Sequence, residues 1–102
     1  MSVPSMTLEL PASLTTDTLR ILEADATTRA ELLRQIIGHF EGKYQCSLET
    51  FEQKLENLEV PEHPGWEESI EWRNAVEQLE RIEMSRSIFA WLTRWLAQSG
   101  VS

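Results

Sequence analysis

Cysteine, histidine and basic residues are all scarce in this chain of 102 residues. One cysteine, Cys46, excludes an internal disulfide framework and fits a reducing compartment such as the cytoplasm. The two histidines, His39 and His63, supply no metal-ligand set. Zinc needs three or four converging ligands, and His39 and Cys46 have no third member in register. Nine Lys+Arg stand against seventeen Asp+Glu, a formal charge of -8, which argues against a generic phosphate-coating surface. No apolar run approaches the roughly 18 residues of a membrane span, and Met1-Ser2-Val3-Pro4 lacks the charged and apolar regions of a signal peptide. Glycine-rich phosphate loops, nucleophile motifs and zinc-protease helices are missing too. The sequence predicts neither an enzyme nor a bound cofactor.

What is present is a globular balance of 41% apolar and 25% charged residues, enough for one small domain. Its patterning predicts a mainly α fold, a short N-terminal β-strand followed by four or five amphipathic helices. Met6, Leu8 and Leu10 alternate with Thr7 and Glu9 before Pro11, as a strand does. Ser13 caps a first helix to about Ala24, a loop follows at Asp25-Ala26-Thr27, and Thr27 or Thr28 caps a second. In that second helix Leu32, Leu33, Ile36, Ile37, Phe40 and Tyr44 share an arc of about 140°. Gly38 and Gly42 weaken its end. Ser47 caps a third helix with Leu48, Phe51, Leu55 and Leu58 on its apolar stripe. Glu49, Glu52, Glu56 and Glu59 read as its solvated polar side rather than as acid–base pairs. Val60-Pro61-Glu62-His63-Pro64-Gly65 is the clearest breaker, and His63 or Pro64 begins the last helical region.

That last region holds all four tryptophans, Trp66, Trp72, Trp91 and Trp95. Trp72, Ala75, Val76, Leu79 and Ile82 form one stripe; Ile88, Phe89, Trp91, Leu92, Trp95 and Leu96 form another. On one straight helix the two stripe centres lie roughly 160° apart. Either the chain bends near Glu83-Met84-Ser85 and buries both, or it stays straight and one stripe faces a partner. The lack of Gly and Pro between Trp66 and Ser99 favours the straight helix. Arg86 and Arg94 alone offer little attraction for anionic lipid, so no membrane is expected. Charge is uneven as well. Residues 1–44 carry four basic and six acidic side chains, residues 45–102 five and eleven. An acidic surface of this kind serves solubility or matches a basic protein partner.

The N-terminal order of strand 6–10, a helix of about a dozen residues, and Thr27-Thr28-Arg29-Ala30-Glu31-Leu32-Leu33 opening a second helix resembles the ribbon-helix-helix family. The resemblance implies a homodimer in which two strands pair as an antiparallel ribbon. Thr7 and Glu9 would point into the DNA groove, and Thr28 and Arg29 would sit near a phosphate at a helix start. Leu8, Leu10, Leu14, Leu22, Leu32, Leu33, Ile36 and Ile37 would form the shared dimer core. An acidic Glu9 on the reading edge, and the absence of glycine between the two helices, depart from that family's pattern. Many of its small members are antitoxins, which implies two regions: residues 1–44 for dimerisation, and residues 45–102 covering a basic toxin. Trp66, Trp72, Ile88, Phe89, Trp91, Leu92, Trp95 and Leu96 would make the partner surface. The alternative is a small all-helical scaffold or assembly factor that binds no DNA.

Overall fold

The computed structural model describes residues 15–98, and the predicted strand with its Thr7, Glu9, Leu8, Leu10 and Leu14 lies outside them. Within the described residues there are three helices and no strand: α1 (Thr16–Tyr44), α2 (Leu48–Glu56) and α3 (Glu62–Gln98). The mainly α expectation holds; the count of four or five helices does not.

The difference arises at Asp25-Ala26-Thr27. No loop forms there, and α1 runs unbroken through it. Thr27 and Thr28, expected as caps, instead turn their hydroxyls back along the helix. Thr27 Oγ1 donates to the Glu23 carbonyl at 2.9 Å and Thr28 Oγ1 to the Ala24 carbonyl at 3.1 Å. Threonine has both options, and the flanking alanines decide between them. Ala26 and Ala30 are buried, and alanine is the strongest helix former. An Arg29–Asp25 pair at 3.1 Å ties one more turn. Helix α1 therefore starts at Thr15, whose side chain accepts from the Thr18 amide. It ends at Gln45, where a left-handed residue (φ 56°) returns its N–H to the Glu41 carbonyl.

Ser47 caps α2 as the sequence predicts, its Oγ accepting from the Thr50 amide. Leu48 and Phe51 are buried, but Leu58 lies beyond the helix end, left-handed and exposed. The breaker then delivers α3, whose non-helical backbone is confined to His63, before a cis His63–Pro64 bond. Gly65 allows α3 to start close against α2. A methyl group there would stand 2.9 Å from Leu55 Cδ2.

Helices α1 and α3 run antiparallel, as the pairs Lys43–Glu68, Phe40–Trp72 and Arg34–Glu83 show. The seam on α1 is Leu19, Ala26, Ala30, Leu33, Ile37, Phe40 and Tyr44, spaced three and four apart from Ala26 onward as in a coiled coil. Leu33 and Ile37, expected in a dimer core, are used here within one chain. Leu22, Leu32 and Ile36 remain exposed. The molecule measures 58 × 36 × 18 Å, long and thin.

Three helices meet at one cluster. Trp72 is 1% exposed and its ring lies between those of Phe40 (5.6 Å between centroids, 17° between planes) and Phe51 (5.5 Å, 35°). Tyr44 closes the stack, 4.1 Å from Phe51 and 6.3 Å from Trp72. Each of the three helices contributes a ring, so no helix can leave without opening the others. Replacing Trp72 with Ala is expected to cost about 3–5 kcal/mol by chemical denaturation. A cost under about 1 kcal/mol would contradict this placement.

Candidate interaction surface

Beyond His63, α3 is one uninterrupted helix, so its whole length projects on a single wheel. Its inner face carries Trp72, Ala75, Leu79, Ile82, Phe89 and Leu96 towards α1. Six large apolar side chains stay in solvent: Trp66, Ile70, Met84, Ile88, Trp91 and Trp95, each between 45% and 67% exposed. At 100° per residue all six fall within an arc of about 60°, roughly opposite the core. The outer face of α3 is thus a second apolar stripe.

The C-terminal stripe of the sequence reading divides between these faces. Ile88, Trp91 and Trp95 point outward; Phe89 and Leu92 are partly buried, and Leu96 is 2% exposed. Trp72 and Leu96, grouped above with the partner-facing residues, belong to the core. Trp66 does face solvent. It borders a groove of about 450 Å³ between α2 and α3, lined also by Leu55, Ile70 and Arg73. The sequence reading missed Ile70 and Met84. The straight-helix projection used for the two stripes would have found them had Trp66, Ile70 and Met84 been projected with the C-terminal stripe.

Between the two apolar ends of the stripe lie Arg73, Glu77, Glu80 and Arg81, a charge-balanced stretch in an acidic chain. The Glu52 carboxylate of α2 takes Arg73 in a two-point contact, with Arg73 Nε donating at 3.0 Å, and this raises the arginine pKa further. Glu52 is therefore a structural partner, not only a solvated charge. Glu77, Glu80 and Arg81 form no ion pair among the described residues.

A second polar clamp joins α1 to the start of α3. Glu68 accepts a hydrogen bond from Lys43 Nζ at 2.6 Å and another from the Tyr44 hydroxyl. The Lys43 contact, then the Tyr44 contact, holds the Glu68 carboxyl below its ordinary value. Burial, reinforced by the Glu68 carboxylate, pushes the Tyr44 hydroxyl up. Nearby, the Glu67 carboxylate raises the pKa of His63 across 2.9 Å.

Thr28 and Arg29 lie in the middle of α1, where backbone N–H groups serve the helix itself, so no phosphate-accepting terminus exists at that point. Among the described residues no three His, Cys, Asp or Glu converge as a metal group, and no helix is long and apolar enough to cross a membrane. No protein-family model, no curated protein and no solved structure matches the chain. Together with the unbroken α1, where the resemblance requires a loop between two helices, that corrects the ribbon-helix-helix resemblance.

Two outcomes follow from this geometry. Glu68 is more acidic folded than unfolded, so its stabilisation is present above its ordinary range and is lost as pH falls through the lowered value. The stability gap between the native protein and Glu68→Gln should therefore narrow between about pH 7 and about pH 3. A gap independent of pH would show that the clamp contributes nothing. Trp95→Ala, melted in dilute solution where association adds little, should shift stability by less than about 1 kcal/mol. A loss as large as that expected for Trp72→Ala would place this ring in the core.

Proposed function

We propose that this protein is a helical docking module that works by binding another polypeptide rather than by catalysis, through the outer stripe of α3. One observation carries the reading: three tryptophans, two isoleucines and a methionine, about half exposed, aligned on the face opposite the core. Single exposed apolar residues are ordinary on any protein, whereas clustered ones mark a binding surface, and here Met84, Ile88, Trp91 and Trp95 cluster at one end of the stripe and Trp66 and Ile70 at the other. Tryptophan is the side chain most enriched among residues that dominate binding energy. The stripe also comes preorganised. The seam with α1 and the aromatic cluster already fix α3, so docking orders little additional backbone.

Apolar positions three and four apart suit a partner helix laid along α3, its side chains seated between successive turns. Trp66 and its groove form one anchor and the Trp91–Trp95 pair the other.

Site-specific photo-crosslinking in cells tests this. A photoreactive phenylalanine analogue at Trp91 should give a discrete crosslinked protein species, while the same analogue at outward-facing Glu31 on α1 should not. Absence of any discrete product at Trp91, or equal products at both positions, would overturn the reading.

A further inference from the structure

Resting on that reading, we infer that the occupant of the outer stripe is a second copy of this chain, its α3 laid antiparallel to the first. Three features of the stripe lead there. Its order is apolar, charged, apolar: Trp66 and Ile70, then Arg73 to Arg81, then Met84, Ile88, Trp91 and Trp95. A twofold axis perpendicular to a helix reverses its copy, so only a pattern that reads alike in both directions matches itself. This one does.

The match extends to register. With the axis level with Leu79, Ile70 stands opposite Ile88 of the second copy, since both lie nine positions from that level. They share one azimuth, being separated by about five full turns. Glu77 and Arg81, two positions either side of Leu79, then oppose each other twice by symmetry. Neither is used by an ion pair within the described residues. Trp66 falls beside Trp91, closing each end with stacked indoles.

Area is the third feature. At their fractional exposures, the six apolar side chains offer on the order of 700 Å² per chain. A standard interface takes about 800 Å² from each partner. A formal charge of -8 on each chain opposes self-association. On the stripe Arg81 of each copy meets Glu77 of the other and offsets part of that repulsion, while Arg73 is already paired with Glu52 in its own chain.

Sedimentation velocity on the full chain, with thermal melts to confirm folding, decides. The native protein should be a dimer at tens of micromolar. Arg81→Glu places Glu77 against a second carboxylate at two sites and should weaken the dimer by about tenfold or more. Glu77→Arg combined with Arg81→Glu restores the opposed charges and should restore the dimer. A folded native protein that stays monomeric, or a folded double variant no better than Arg81→Glu, would overturn self-pairing. The crosslinked mass at Trp91 separates the two levels of the argument. Twice the chain mass of 11.8 kDa supports self-pairing. A product of any other mass rejects it while leaving the docking reading standing, and no product rejects both.

Discussion

Trp72 is the point on which the three helices agree. Its ring lies between Phe40 of α1 and Phe51 of α2, and it belongs itself to α3. A chain this short and thin has little interior, so burying one indole among three other rings supplies an unusual share of its apolar burial. The position of Trp72 sets the rotation of α3 about its own axis. Once that ring faces α1 and α2, the side chains half a turn away must face out, and these are Trp66, Ile70, Met84, Ile88, Trp91 and Trp95. Core and exposed apolar stripe are therefore two consequences of one helix orientation.

The polar contacts act in support of that orientation. Glu68, one turn before Trp72, holds Lys43 and Tyr44 of α1, and Glu52 of α2 holds Arg73, the residue after Trp72. Each is partly open to water, so each contributes modestly to stability while fixing which faces meet. Most of the surplus glutamates lie on the surface. Glu52 and Glu68 are exceptions, and composition alone could not have separated them from the rest.

The reach and the failures of the sequence reading have the same source. Periodicity identified Leu33, Ile37, Phe40, Leu48, Phe51 and Trp72 as apolar faces, and the Ser47 cap and the Pro64 break were legible as local chemistry. Local chemistry misled at Thr27 and Thr28, because a threonine hydroxyl can cap a new helix or bond back to the preceding turn. The choice between them depends on Ala26 and Ala30 packing against α3, a contact far away in sequence. The ribbon-helix-helix resemblance rested on that supposed loop and failed with it. The C-terminal stripe was recognised as amphipathic but assigned whole to one face. Burial of Phe89 and Leu96 beside exposed Trp91 and Trp95 depends on where α3 lies against α1, and one strand of periodicity does not carry that information.

The central claim is that α3 presents one apolar face to the core and another to solvent. Tryptophan fluorescence reads both directly, in variants that keep a single indole and replace the other three with phenylalanine. In dilute folded protein, the variant keeping Trp91 should emit at long wavelength and be readily quenched by acrylamide, with blue-shifted emission and protection appearing as concentration rises. The Trp72 variant should emit at short wavelength and resist quenching throughout. Equal protection of Trp91 and Trp72 in the dilute, folded monomer would contradict the account.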